Sequence, residues 1–137
     1  LNYTQFEDKK ILITGVGGFI GNATANMILN NSNNSIIYGI DEMNDYYDIN
    51  IKNNNIHNLH KFNKYNERFI FFQRTIDRNC MNELFNINIR PDYIIHLAAR
   101  AGVRKSMEEP QLYVTSNINS TIDIFNFAHK CNLCIIK

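Results

Sequence analysis

Short, wholly apolar runs alternate along the chain with stretches whose apolar positions recur every three to four residues. Ile11-Leu12-Ile13, Ile36-Ile37-Tyr38-Gly39-Ile40, Phe69-Ile70-Phe71-Phe72 and Tyr93-Ile94-Ile95 have strand length and are apolar throughout. Strands covered on both faces read this way. The pattern predicts strands at residues 10–14, 35–40, 68–72 and 93–97, with a fifth at 133–136. Helices are expected at 19–29, 79–87 and 110–130, the last with Pro110 in its first turn. Asn30 to Asn34 ends the first helix as a polar turn, and residues 41–67 form a long connection. Within it Ile56, Leu59 and Phe62–Asn63 suggest one short amphipathic helix. Alternation of this kind means an α/β domain with a parallel sheet between two helical layers.

The turn that joins the first strand to the first helix adds chemistry to this outline. Thr14-Gly15-Val16-Gly17-Gly18-Phe19-Ile20-Gly21 follows an apolar strand and opens directly into a helix. Gly15 permits a tight bend, Gly17 or Gly18 keeps side chains away from an approaching pyrophosphate, and Gly21 lets the helix lie close to its strand. The N–H groups at the helix start face such an anion with the positive end of the macrodipole. A glycine-rich strand-turn-helix without a ligand is the competing reading. Asp41, closing the second strand, weighs against it, because it stands where a carboxylate accepts hydrogen bonds from an adenosine ribose. The fold expected is therefore a Rossmann-like doubly wound parallel sheet of order 3-2-1-4-5, three layers thick. Its switch point falls between the first and fourth strands, so the glycine turn and the residues after Leu97 share one crevice.

Composition narrows the possibilities. A chain of 137 residues makes one domain, and a net charge of +1 gives no bulk attraction to nucleic acid or an anionic membrane. No apolar run is long enough to span a bilayer and the polar start is no signal peptide, so a cytoplasmic location is expected. The opening Leu1, in place of Met, suggests a fragment. Cys131 and Cys134 are spaced C-x-x-C without a second ligand pair, and buried thiols are the expected account. His57 and His60 read as solvated loop residues, and no metal site is expected.

Three motifs in order carry a resemblance. Thr14 to Gly21 matches T-G-x-x-G-x-x-G, His96-Leu97-Ala98-Ala99 matches H-L-A-A, and Tyr113-Val114-Thr115-Ser116-Asn117 matches Y-x-x-x-N. The chain resembles the N-terminal part of an extended short-chain dehydrogenase/reductase of the NAD-dependent epimerase/dehydratase family. Asp41 to Asp48 resembles the D-N-x-N-D-Y-Y-D segment of UDP-glucuronate 4-epimerases, and Ala99 to Ser106 their A-Q-A-G-V-R-Y-S.

The resemblance implies NAD as cofactor, a UDP-sugar substrate and a homodimeric parent enzyme. It implies that Gly15, Gly17, Gly18, Phe19, Ile20, Gly21, Asp41, Thr75, Ile76, Leu97, Ala98, Ala99 and Asn117 bind the cofactor, and that Arg104 meets the substrate's carboxylate or diphosphate. Asp41 favours NAD over NADP, since a carboxylate repels a ribose phosphate and no Arg or Lys follows it immediately. Departures are visible as well. Arg74-Thr75-Ile76 replaces the family's Gly-Asp-Ile/Leu, leaving Thr75 or the displaced Asp77 for the adenine; Lys105 replaces Tyr and Ser120 replaces Gly.

No tyrosine of the chain is followed four residues later by Lys, so the family's Tyr-x-x-x-Lys base is not within it and no catalytic residue is assigned. The chain is expected to be the first part of an NAD-binding domain, truncated before the catalytic helix and substrate domain and inactive alone. Competing readings are a nucleotide-sugar 4,6-dehydratase and a non-catalytic dinucleotide-binding or sensor protein. A methyltransferase fits less well, because Thr14-Gly15 stands where its acidic residue belongs.

Overall fold

Alternation along β1 (Lys10–Thr14) sorts its side chains into two cores. Ile11 and Ile13 join Ala25, Ile28, Leu29, Ile56 and Leu59 on one face of the sheet. Leu12 joins Cys80, Met81, Leu84, Ile124 and Phe127 on the other. The computed structural model describes residues 4–46 and 48–133. Among them β1, β2 (Ile36–Asp41), β3 (Phe69–Gln73) and β4 (Tyr93–His96) form a parallel sheet of order β3-β2-β1-β4. Helices α1 (Phe19–Asn31) and α2 (Ile49–His60) cover the first face; α3 (Arg78–Asn86) and α6 (Ser120–Lys130) cover the second. This is the expected doubly wound, three-layer arrangement. The fifth strand of the expected order falls, beyond Leu133, outside the described residues, as do Cys134 and Tyr47.

Thr14 pairs in register with Ile40 on one side and His96 on the other, so the C-terminal ends of β1, β2 and β4 are level. That alignment puts their three following loops at one edge. It is the fold's contribution to the site.

Several boundaries differ from the expectation, each for a local reason. Helix α1 runs on to Asn31 because Asn30 and Asn31 donate back to the Asn26 and Met27 carbonyls, at 2.9 and 2.7 Å. Strand β2 includes Asp41, and β4 stops at His96, one residue before the expected end. The short helix of the 41–67 connection is a full α2, started by Asp48, whose carboxylate accepts the Asn50 N–H at 2.9 Å. His57 and His60 consequently sit in its last turn rather than in a loop. The His60 ring meets Phe69 edge-on at 5.1 Å. Helix α3 is capped by Asp77, which accepts the Cys80 N–H at 2.7 Å.

The helix expected over 110–130 is interrupted. It consists of α5 (Pro110–Tyr113), a π-helical turn (Val114–Asn119) and α6. A further short helix, α4 (Val103–Glu108), precedes it. Ser120, in place of the family's Gly, is buried and its hydroxyl donates to the Ser116 carbonyl at 2.5 Å, so the extra side chain is absorbed within the helix. No helix of the described residues is long and apolar enough to cross a membrane. Cys80 is buried as expected, whereas Cys131 is only half-buried; burial raises the Cys80 thiol to about 11 and pushes Cys131 upward, which keeps both protonated at neutral pH.

Candidate functional site

The glycines of the first turn do three different jobs. Gly15 has φ +71°, and a β-carbon on it would press on the Ala98 nitrogen at 2.9 Å, so the turn lies directly against the end of β4. A β-carbon on Gly21 would overlap the Gly15 carbonyl, which is how α1 starts so close to its strand. Gly17 is buried for another reason: a side chain there would stand 3.1 Å from Asp41 Oδ2 and 3.2 Å from the Met43 sulfur. Gly18 is the more open of the central pair, with only the Gly15 carbonyl nearby. It caps α1 without a side-chain hydrogen bond, and the Phe19, Ile20 and Gly21 N–H groups have no protein acceptor among the described residues. Phe19 and Ile20 are exposed. This uncapped helix start, flanked by a glycine, suits an anionic group such as a pyrophosphate.

Asp41 ties the turn to β2. Its Oδ2 accepts the Gly17 N–H at 3.0 Å, and its Oδ1 accepts the Met43 N–H at 2.8 Å. The carboxylate is only 7% exposed, and Lys52 Nζ stands 3.2 Å from Oδ1. Lys52, equally buried, also donates to Asn44 Oδ1 at 3.1 Å. One turn further along α2, Asn55 donates to the Gly17 carbonyl at 2.9 Å. Helix α2 thus grips both the turn and the Asp41 carboxylate. The premise that no cation compensates Asp41 holds along the sequence but not in space, because α2 returns Lys52 to it.

Thr14 organises the β4 end. Its hydroxyl oxygen lies 3.0 Å from the Leu97 N–H, 3.1 Å from the Ala98 N–H and 2.7 Å from His96 Nδ1. A hydroxyl has one proton and two lone pairs. The two amides take the lone pairs, so the proton points at Nδ1, which must be bare. His96 is then the neutral Nε2–H tautomer, and Nε2 donates to Thr121 Oγ1 at 3.2 Å. Burial lowers the His96 pKa in the same sense. His96 is therefore a packed, hydrogen-bonded residue that orients the chain at Leu97 and Ala98, while Ala99 follows them into the loop.

The loop after β4 is clamped from two sides. Asn117 accepts the Arg100 N–H at 2.7 Å and donates to the Arg100 carbonyl at 2.9 Å, so its amide is engaged at both ends. Tyr113 donates to the Ala101 carbonyl at 2.6 Å, and Tyr46 donates to the same oxygen. Arg100 Nη2 reaches Glu42 Oε1 at 3.2 Å. Since β1 lies between β2 and β4, these contacts bridge the crevice past the end of β1.

The remaining expected residues sit at the margins. Arg104 is exposed on α4 and forms no ion pair among the described residues. Thr75 is exposed and Ile76 packs at the rim of the second core. Asp77 caps α3 through Oδ1, and Arg74 of the same loop pairs with Glu83 at 3.6 Å. Lys52, Asn55, Arg100 and the Thr14 hydroxyl were not singled out from the sequence. The one available signal was Asp48 as a helix cap, which would have put Lys52 on the buried stripe with Ile56 and Leu59.

Comparisons with known proteins agree with this geometry. The family model for GDP-mannose 4,6 dehydratase matches residues 12–136. A UDP-glucuronate 4-epimerase of Thermodesulfobacterium geofontis is 38% identical over 117 residues, 82% of this chain and 33% of that protein. Protein CapI of Staphylococcus aureus is 32% identical over 125 residues, 90% of this chain and 35% of that protein. The solved structure of Bacillus cereus UDP-glucuronic acid 4-epimerase with UDP-glucuronic acid and NAD matches with TM-score 0.69 at 32% identity, over 87% of this chain and 36% of that one. The UDP-Glc/GlcNAc 4-epimerase of Campylobacter jejuni matches with TM-score 0.74 at 26% identity, over 91% and 35%. The chain spans about a third of the length of the curated relatives it matches. With its glycine turn, its β2 carboxylate and a family match over nearly its whole length, the chain belongs to the GDP-mannose 4,6-dehydratase family of nucleotide-sugar epimerases and dehydratases.

Proposed function

We propose that the full-length protein is a UDP-glucuronate 4-epimerase-like enzyme, and that residues 1–137 are the first part of its NAD-binding domain. The observation that carries the reading is the fastening of Gly17 to Asp41 beside an uncapped helix start, which makes one continuous polar edge for a dinucleotide. Relatives named as UDP-glucuronate 4-epimerases supply the substrate class.

Each residue then has a task. The Phe19, Ile20 and Gly21 N–H groups hold the pyrophosphate, with Gly15, Gly17 and Gly18 keeping its approach clear. Asp41 accepts from the adenosine ribose through the lone pair its three protein donors leave over. Thr75 and Ile76 border the adenine, and the Leu97–Ala98–Ala99 backbone, set by Thr14, lines the inner end. Asn117 acts through Arg100, holding the loop that carries Arg104 toward the sugar nucleotide's carboxylate or diphosphate. NAD, when bound, accepts the hydride from sugar C4 and returns it. The base that takes the C4 hydroxyl proton comes from a Tyr-x-x-x-Lys helix outside these 137 residues, so this part alone is inactive. The apolar residues Val114, Ile118, Ile122 and Phe125, exposed along one helical run, suit a homodimer interface in the parent.

The family model's own description favours a second reading, a 4,6-dehydratase. Incubating the full-length protein with UDP-glucuronate and following the sugar by NMR separates the two. A C4 epimer establishes the first reading; no epimer, with a 4-keto-6-deoxy product from a nucleotide hexose, establishes the second.

A further inference from the structure

The hydrogen bonds through His96 all run in one direction. The Leu97 and Ala98 N–H groups fill both lone pairs of Thr14 Oγ1, and its proton goes to His96 Nδ1 at 2.7 Å. His96 Nε2 donates to Thr121 Oγ1, and that hydroxyl donates in turn to the Asn117 carbonyl at 2.6 Å. Asn117 is the residue whose side-chain amide closes on both backbone groups of Arg100. One imidazole therefore joins the end of β4 to the helix that clamps the following loop. A proton on Nδ1 is incompatible with this arrangement. Nδ1 becomes a donor, and Thr14 Oγ1 then meets three donors with two lone pairs. Leu97 or Ala98 has to give up its anchor. Ala98 is also the residue against which the glycine turn lies, since a β-carbon on Gly15 would stand 2.9 Å from its nitrogen. Charged groups on the elements around His96 are engaged elsewhere. Arg100 pairs with Glu42 at 3.2 Å, Asp123 of α6 with Arg78 of α3 at 3.9 Å, and Glu83 of α3 with Arg74 at 3.6 Å. His129 and Lys130 stand at the far end of α6, Lys10 and Asp92 at the opposite end of the β1–β4 pair, and the Cys80 thiol of α3 stays protonated. Burial is what holds His96 below its ordinary value.

Resting on the dinucleotide site proposed above, we infer that His96 is a positioning residue whose bare Nδ1 holds the Leu97–Ala98 backbone against the glycine turn, so that a proton there releases that backbone and weakens dinucleotide binding. His96 acts through Thr14 and touches neither cofactor nor sugar. Linkage makes the effect reciprocal: bound dinucleotide keeps His96 neutral to a lower pH than the free protein does. The pH dependence belongs to cofactor affinity and is separate from the proton transfer at C4.

Calorimetric titration of the full-length protein with NAD+, after removal of any bound dinucleotide and without sugar substrate, tests this between about pH 8 and about pH 5, a range that spans histidine protonation. Affinity is expected to fall about threefold to tenfold toward acid, the scale of one lost hydrogen bond. His96→Asn offers Thr14 an acceptor that takes up no proton, and should lose that acid step. His96→Leu removes the acceptor, and should bind NAD+ less tightly than His96→Asn at every pH, again without the step. Thr14→Ser should keep the step and Thr14→Val abolish it, since only the hydroxyl transmits the change. In NMR spectra the His96 imidazole should titrate at lower pH with NAD+ than without, and this readout with His96→Asn decides the matter if Thr14→Val does not fold. The same acid step in His96→Asn or Thr14→Val, or an imidazole titration indifferent to NAD+, would overturn the positioning role while leaving the dinucleotide site standing. Failure of the unaltered protein to bind NAD+ at pH 8 would overturn the site itself and the role of His96 with it.

Discussion

The β2 end of the crevice and the β4–α4 end are built on opposite principles. At β2, one carboxylate receives two backbone N–H groups and a buried ammonium, and α2 holds the whole assembly from behind. At α4, Val103, Arg104 and Met107 are exposed, and the Lys105–Glu109 ion pair lies in solvent. Charge is placed and desolvated at one end and left in water at the other. In the proposed reading the finished end is the one that holds the dinucleotide. The open end presents Arg104 exposed, with no ion-pair partner among the described residues.

Substitutions at Asp41 should sharpen that contrast most. Asp41→Ala leaves the Lys52 ammonium buried without its partner and should cost about 3–5 kcal/mol of stability, read from urea unfolding. Lys52→Met should cost distinctly less, because Gly17 and Met43 still donate to the carboxylate. Equal losses in the two variants would break the picture of an end organised around Asp41.

The glycine turn comes next. Gly21→Ala forces a β-carbon onto the Gly15 carbonyl and should destabilise by about 1–3 kcal/mol, with the same unfolding assay as the check. Gly18→Ala meets only that carbonyl, at 3.2 Å, and should change stability less while weakening dinucleotide binding.

A smaller effect separates the two ends by pH. His96, beside Thr14, is held below its ordinary value of 6.5 by burial, whereas the unfolded chain takes up its proton near that value. Its contribution to stability is complete above pH 6.5. It declines as pH falls from there toward the lowered folded value and levels off below it. Unfolding midpoints measured from pH 8 downward should show this loss in the native sequence and lose that component in His96→Gln. A profile unchanged by the substitution would mean that His96 is not held neutral.

The least effect on stability is expected at the open end. Arg104→Ala should leave stability within about 0.5 kcal/mol. It should still weaken UDP-glucuronate binding by about tenfold, the scale of one charge-assisted hydrogen bond. Unchanged sugar-nucleotide affinity would remove Arg104 from the substrate surface.

What was legible in the sequence follows the same division. The four strands, the glycine turn and Asp41 are local signals, carried by apolar runs and by residues whose backbone role is intrinsic. Lys52 and Arg100 are not legible in that way. Each acquires its role from a partner brought in by packing, eleven residues along the chain for Lys52 and fifty-eight for Arg100. Asn117 was legible as a motif position but not in its task, since only the fold shows its amide turned on the Arg100 backbone. The start of α2 hid behind an asparagine-rich segment with weak periodicity, although Asp48 marked it.

The π turn at Val114–Asn119 has a consequence for how this helix tolerates change in length. Such a turn behaves as a single inserted residue, and each residue in a regular helix advances the face by about 100°. Asn117 lies within the turn and reaches Arg100; Thr121 lies just after it and reaches His96. Deleting one residue between them would restore an ordinary helix and swing one of the two off its target. The irregularity therefore works as a phase adjuster, keeping two contacts to β4 and its loop in step along a helix that an even winding would align with only one.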